Sequence, residues 1–292
     1  MLQKGPRSIL LCYILWGVLP LFWRLLSAVA SFAVLGYRIL FSLVLLALFL
    51  VVSGRWGEAA AMLRDKQERR WVLFAGIAVA VNWGCYIWAM GNGRVVDASL
   101  AYYMHPILSI LVGAVFFREK LTALQWLAVG LMTGGIAVTA AGYGQMPWLA
   151  LLIGSSFVLY GVIKRNVTCS APVSLFGESL FTLPLALVCI LWCERAGTGA
   201  VGQLTGAQWL LLPAAGIVTA VPLLFFARGI RETDNTLTGI LMLINPTLQL
   251  LSGVVILGEA FTASHRVLFA FIWGGLAIFV LGNLLRRRGK AA

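Results

Sequence analysis

Charged residues are scarce in this chain: Lys, Arg, Asp and Glu together make up only 11% of its 292 residues. Soluble domains carry about 25% charged residues, so a water-soluble globular fold could not cover its surface with this composition. Hydrophobic residues make up 61% of the chain, and that abundance excludes a disordered protein. The composition therefore predicts an integral membrane protein.

Cysteine and histidine are also rare, with five and two copies respectively. No group of them has the spacing of a zinc site, so we expect no metal and five free thiols. The sequence also lacks a glycine-rich phosphate loop, an H-E-x-x-H motif and a G-x-S-x-G motif. These absences argue against an enzyme, and the sequence predicts no cofactor.

The apolar residues fall into ten runs of roughly the length that spans a bilayer, about 20 residues. None of the runs alternates as a barrel strand does, and helices satisfy their own backbone hydrogen bonds in lipid. We therefore expect an all-α integral membrane protein with ten transmembrane helices. The predicted spans are residues 8–26, 32–52, 71–90, 98–117, 124–141, 147–163, 174–193, 208–227, 237–257 and 267–285.

Basic residues outnumber acidic ones by 22 to 10, which gives a formal net charge of +12. In a soluble protein that balance would indicate nucleic acid, but membrane proteins concentrate Lys and Arg in cytoplasmic loops. With the amino terminus in the cytoplasm, 17 of the 22 basic residues fall on the cytoplasmic side and four on the other side. We therefore expect both termini in the cytoplasm, the lipid bilayer as a partner, and no nucleic acid.

The two halves of the chain align when one is shifted by 140 residues, and the matches fall at glycine, proline and glutamate. Residues 1–142 and 147–288 are therefore predicted to be two five-helix repeats. An odd number of helices places them in opposite orientations. Inverted repeats are typical of secondary transporters, whose substrate sites lie near the midplane of the bilayer. The clearest matches place Gly76 on Gly216, Pro106 on Pro246, Glu119 on Glu259, and Gly134-Gly135 on Gly274-Gly275.

Several short segments carry a family resemblance: Asn82-Trp83, the run from Asp97 to Tyr103 before Pro106, Glu178, and Gly216-Ile217-Val218-Thr219. Over essentially the whole chain, the sequence resembles a RarD-like permease of the EamA-domain drug/metabolite transporter superfamily. The resemblance implies ten helices in two five-helix repeats in the bacterial inner membrane. It also implies efflux of metabolites or drugs.

Arg38 and Glu178 lie deep inside predicted spans, where each charge is costly and marks a candidate functional site. Arg38 keeps its proton, and we expect it to meet an anionic group of a substrate. The alternative is that it extends toward the headgroups or pairs with a helix carbonyl. Glu178 occupies the equivalent position 140 residues later. Two roles are open for Glu178, a proton-coupling site and an interhelical hydrogen-bond anchor.

Two X-Pro steps occupy equivalent positions in the predicted fourth and ninth helices, at His105-Pro106 and Asn245-Pro246. Proline removes a backbone donor and frees a carbonyl, so Pro106 and Pro246 are predicted hinges. His105 and Asn245 would line the substrate site beside them. The alternative is a static kink in each helix.

Three polar or aromatic residues complete the predicted substrate site: Asn82, Tyr86 and Tyr102. Asn82 and Tyr86 are four residues apart and share a helix face, and aromatic walls with few polar groups suit small-molecule pockets. Aromatic residues also populate the membrane interfaces, which is the alternative. Elsewhere, Glu119 and Glu259 are each expected to cap the helix that follows.

These features predict a secondary-active transporter that works by alternating access, coupled to protons, and exports small amphipathic solutes. Amino acids and drug-like metabolites are the solute classes that the resemblance favours. Three alternatives remain at this stage: an uptake permease, a channel, and a membrane-embedded sensor.

Overall fold

A computed structural model describes residues 4–118, 121–233, 238 and 241–291 of the chain, and these residues form helices and connecting segments without a strand. We number the α-helices in chain order. They are α1 (Lys4–Leu25), α2 (Ser31–Val52), α3 (Trp56–Arg64), α4 (Lys66–Gly91), α5 (Val95–Phe117), α6 (Ala123–Tyr143), α7 (Trp148–Lys164), α8 (Ala171–Arg195), α9 (Ala200–Gln203), α10 (Leu211–Glu232), α11 (Ile244–Leu251) and α12 (Ala263–Ala291).

Eight of the ten predicted spans match helices that are long and apolar enough to cross a membrane. The sixth and ninth predicted spans match shorter apolar helices, Trp148–Lys164 and Ile244–Ile256. In the ninth, Pro246 lies near the start of α11, and the chain widens into a π-helix over Ser252–Ile256. Residues 237, 239 and 240 of this predicted span lie outside the described residues.

One helix was not expected from the sequence. Residues 53–70 connect the second and third predicted spans, but α3 forms within them and buries Ala59 and Met62. These side chains join a small apolar core with Leu50, Val72 and Phe176. A helix of nine residues gives too short a periodic pattern to be recognised beside long apolar runs.

The helices pack in a recurring pattern of pairs. α2 packs on α8, and α6 packs on α12. α1 packs on α10, and α4 packs on α7. α1 also packs on α11, and α5 also packs on α7. Glycine permits the α6–α12 contact: a Cβ on Gly135 would lie 2.6 Å from Phe271 Cβ, and one on Gly275 would lie 3.0 Å from the Ala128 carbonyl oxygen. Small residues at such contacts let the helix backbones approach closely.

The bundle has two ends, which we name by a residue at each. At the Lys66 end, α2 and α7 finish while α4 and α8 begin. At the Val95 end, α4 finishes while α2 and α5 begin. Polar contacts join helices at the Val95 end: Asp97 Oδ1 lies 3.2 Å from His265 Nε2, and Ser264 Oγ donates to Gln145 Oε1 at 2.8 Å.

Glu259 caps α5 rather than the helix that follows it. Its two carboxylate oxygens accept hydrogen bonds from the backbone N–H groups of Val95 and Val96, each at 2.9 Å. The expectation that Glu259 caps α12 was therefore wrong. The chain turns at Gly258, where φ is +67°, and the carboxylate stabilises the unsatisfied donors of a helix start across the bundle. Glu119 lies outside the described residues.

Replacing Glu259 by glutamine should lower the stability of the purified protein by about 1 kcal/mol, because a neutral amide is a weaker N-terminal cap than a carboxylate. The melting temperature in detergent measures this effect. The matched control is Glu58→Gln, whose carboxylate pairs with Arg55 on the surface, and which should leave the melting temperature unchanged. Equal melting temperatures for the native protein and Glu259→Gln would contradict the capping role.

Candidate functional site

Arg38 lies in the second turn of α2 and is 6% exposed. Its Nε donates a hydrogen bond to Thr219 Oγ1 on α10 at 3.0 Å. Its guanidinium carbon lies 3.7 Å from the ring centroid of Trp83 and 5.2 Å from that of Trp23. Three helices and the end of α1 therefore converge on one buried cation, through a hydroxyl and two aromatic faces.

No carboxylate in the described part of the chain forms a salt bridge with Arg38. A buried cation without an anionic partner is costly, since cation–π contacts and one hydroxyl replace its water only in part. Tyr86 and Tyr102 lie close enough to interact electrostatically with the guanidinium. The site thus carries an uncompensated positive charge.

An aromatic row runs from Tyr86 on α4 to α7. Tyr86 and Tyr102 meet edge to face with ring centroids 5.9 Å apart, and Tyr102 meets Phe157 at 6.3 Å. His105 lies 5.0 Å from the same Phe157 ring. The structure thus brings together three predicted site residues and adds Phe157, which the sequence did not single out because it reads as an ordinary apolar residue. The Tyr86 hydroxyl has no hydrogen-bond partner among the described residues.

Asn82 lies one turn before Tyr86 and is buried against α7. Its amide nitrogen donates to the Ile153 carbonyl at 2.7 Å and to Ser156 Oγ at 3.1 Å. Both amide protons are therefore used to hold α4 on α7. Any contact between Asn82 and a solute would go through its remaining carbonyl oxygen.

Asn245 and Pro246 are buried in α11. The Asn245 side-chain oxygen accepts a hydrogen bond from Gln249 Nε2 at 2.7 Å, one turn along the same helix. The structure shows no hydrogen bond between Asn245 and Arg38, whose partner is Thr219. Pro106 lies within α5, which continues through it without a break.

Glu178 is 2% exposed and is surrounded by donors. Its carboxylate accepts from Lys164 Nζ at 2.8 Å, from Ser174 Oγ at 2.7 Å and from the Tyr160 hydroxyl at 3.1 Å. Lys164 also donates to Ser174. The sequence does not identify Lys164 as the partner, because Lys164 follows the predicted span 147–163 and only the packing of α7 on α8 brings it to Glu178.

Arg38 and Glu178 hold corresponding places in the fold but are not paired. Each is the eighth residue of its helix, since α2 begins at Ser31 and α8 at Ala171. Arg38 bonds to Thr219, whereas Glu178 bonds to Lys164. The two charges therefore form separate sites.

A cleft leads from the Lys66 end toward Arg38. It extends from Ala171 and Pro172 in the first turn of α8 to Trp83 and Thr219, the two residues that contact the guanidinium. Arg38 itself is not among the lining residues, so Trp83 and Thr219 stand between it and the cleft. The remaining walls are leucine and alanine with two serines, Ser42 and Ser179.

Comparisons with known proteins agree with one another. Residues 3–141 match the model of the EamA-like transporter family. The chain is 35% identical to the uncharacterized transporter YojE of Bacillus subtilis, over 99% of this chain and 97% of that protein. It is also 35% identical to the protein RarD of Streptomyces exfoliatus, over 96% of this chain and 89% of that protein. A solved crystal structure covers 97% of this chain and 98% of its own at a TM-score of 0.61 and 21% identity, which indicates a shared fold.

Proposed function

Because the chain belongs to the EamA-like transporter family as a RarD-like permease, and is therefore a multi-pass bacterial membrane transporter, we propose that it is a secondary-active exporter of small amphipathic organic solutes. It works by alternating access and is coupled to protons. The solutes proposed for export are amino acids and drug-like metabolites.

The proposed architecture is ten transmembrane helices in two inverted repeats, residues 1–142 and 147–288. In this scheme α1, α2, α4, α5 and α6 correspond to α7, α8, α10, α11 and α12. The starts of α2 and α8, 140 residues apart, support the correspondence. The packing supports it as well. If each helix is replaced by its counterpart in the other repeat, the α1–α10 contact becomes the α4–α7 contact, and the α1–α11 contact becomes the α5–α7 contact. Both members of each pair are present.

The observation that carries the proposal is the uncompensated positive charge of Arg38, which lies behind Trp83 and Thr219 at one end of a cleft. Intramembrane cations mark substrate pathways, and a guanidinium matches the planar geometry of a carboxylate. In the proposal Arg38 binds the anionic group of the solute when Trp83 or Thr219 moves aside. Tyr86, Tyr102 and His105 form an adjoining aromatic wall, with Asn82 and Asn245 as further substrate contacts.

Coupling is assigned to Glu178, and the hinges to Pro106 and Pro246. Glu178 on α8 accepts hydrogen bonds from Tyr160 and Lys164 on α7, so gaining or losing a proton would change how α7 is held on α8. Proline at the matched positions removes a backbone donor, within α5 at Pro106 and in the first turn of α11 at Pro246. These are the points at which we propose that the helices bend.

Flux in proteoliposomes tests the function. Purified protein should give saturable efflux of a labelled amphipathic acid that depends on an imposed pH gradient. Flux that rises linearly with concentration would indicate a channel, and the absence of any flux would favour a sensor. Coupled movement only in the opposite direction would favour the uptake permease.

Topology provides an independent prediction. Reporter fusions in bacteria should place both termini and residues 54–70 in the cytoplasm, and residues 91–97 outside, because the basic residues concentrate on the first side. The Lys66 end would then face the cytoplasm. A carboxyl-terminal fusion that reports an external position would overturn the ten-helix scheme.

A further inference from the structure

Ser42 has a buried hydroxyl without a partner at the cleft. It lies one helical turn beyond Arg38 on α2, is 2% exposed, and lines the cleft. Its Oγ makes no hydrogen bond among the described residues. Buried hydroxyls in helices usually bond to a carbonyl of the preceding turn, as Ser99 does with Val96 and Thr139 with Gly135. An unsatisfied buried hydroxyl is costly, so a ligand group is a reason for Ser42 to face the cleft.

A second serine lines the same cleft. Ser179 on α8 lines the cleft and is 5% exposed. The walls between the two serines include Leu46, Leu175 and Leu223. The walls have the composition of a small-molecule site, apolar with a few polar groups, but in this conformation the cleft has a volume of only about 20 Å³.

None of the ten residues that line the cleft is ionisable. Glu178 is adjacent to Ser179 in sequence, but Lys164, Ser174 and Tyr160 engage its carboxylate. One cation, Arg38, lies behind the wall. The guanidinium also covers one face of Trp83, so that face cannot hold a second cation. An ammonium group in the cleft would therefore lose its water without meeting a negative charge.

We propose that the exported solute is a small organic anion with a second, uncharged hydrogen-bonding group, and that Ser42 recognises that group. This inference rests on the proposed function, because it takes Arg38 as the site of the anionic group. It narrows the solute class to hydroxy acids and similar compounds. Zwitterionic amino acids are poor substrates, since their ammonium has no partner here.

Three compounds with one carbon skeleton test the proposal: 2-hydroxy-4-methylpentanoate, 4-methylpentanoate and leucine. They carry a hydroxyl, a hydrogen and an ammonium at the same carbon. Equilibrium binding to the purified full-length protein should be about fivefold tighter for the hydroxy acid than for the unsubstituted acid, the value of one ordinary hydrogen bond. Leucine should bind at least about tenfold more weakly than the hydroxy acid.

In Ser42→Ala, 2-hydroxy-4-methylpentanoate should bind no more tightly than 4-methylpentanoate, while the affinity for 4-methylpentanoate should be unchanged. A purely structural role for Ser42 would weaken both acids together. Ser99→Ala is the matched control, because Ser99 is buried on α5 with its own carbonyl partner, and it should keep the fivefold ratio. If Ser42→Ala fails to fold, Ser42→Cys substitutes a weak hydrogen-bonding sulfur and should also lose the ratio.

Three results would overturn the inference: leucine binding as tightly as the hydroxy acid, a ratio that survives in Ser42→Ala, or no binding of any of the three compounds. Arg38→Lys separates this failure from failure of the proposed function. It should weaken both acids by the same factor. Unchanged affinity in Arg38→Lys would overturn the anion site itself, whereas a ratio independent of Ser42 would overturn only the second contact.

Discussion

Arg38→Lys should weaken substrate binding by about 10- to 100-fold in a protein that still folds. That range corresponds to the roughly 1.5–3 kcal/mol of a hydrogen bond to a charged group. Lysine keeps the positive charge but lacks the planar fork that binds a carboxylate through two bonds. It also cannot donate to Thr219 and stack on Trp83 at once, as the guanidinium does. Competition binding in detergent and initial flux in proteoliposomes measure the change.

The control for this substitution is Arg24→Lys, at the exposed end of α1, which should leave binding unchanged. Size-exclusion profiles and melting temperatures establish that both variants fold. Native affinity in a folded Arg38→Lys protein would mean that the cation only joins helices. The substrate site would then have to be sought away from the α2–α4–α10 junction.

Glu178→Gln should abolish transport driven by a pH gradient while preserving exchange of solute between equal concentrations. Glutamine keeps the size of the side chain. Its carbonyl oxygen can still accept from Lys164 and Ser174, and its amide can donate to the Tyr160 hydroxyl, but it cannot release a proton. Proton-driven flux and counterflow in the same proteoliposomes separate the two activities. If Glu178 is instead an anchor, both activities should fall together with stability, by about 0.6–2 kcal/mol.

Glu68→Gln is the matched control for Glu178. The Glu68 carboxylate is also buried, and it accepts from the backbone N–H groups of Thr168 and Cys169 in the loop before α8. Glu68→Gln should lower the stability of the protein without uncoupling transport from the pH gradient. Full pH-driven transport in Glu178→Gln would remove this residue from the mechanism and leave His105 as the other candidate inside the spans.

Much of the fold could be predicted because apolar runs and glycine or proline positions are local signals. The exceptions follow from packing. Helix α3 is stabilised by Ala59 and Met62 against distant helices, so its own sequence gives little sign of it. The π-helix after α11 is a rare element that no local sequence signal indicates.

The candidate site was predictable in part for a similar reason. Arg38 and Glu178 stand out as ionisable residues within apolar runs. Their partners do not: Thr219 and Lys164 are identified only when four helices are assembled. Ser42 was missed because a serine in a membrane helix usually bonds to its own backbone.

The hydrogen bonds that join segments at the Val95 end have a kinetic consequence. Three contacts join segments at this end: the carboxylate of Glu259 on the start of α5, the Asp97–His265 contact and the Ser264–Gln145 bond. Each contact is modest alone, but in the proposed alternating-access cycle all three would have to break for this end to open. In an alternating-access cycle the opening of this end would be the slow step, as conformational gating often is. Solutes of very different affinity would then share one maximal turnover rate, because a conformational change of the protein, and not the binding of the solute, would limit that rate.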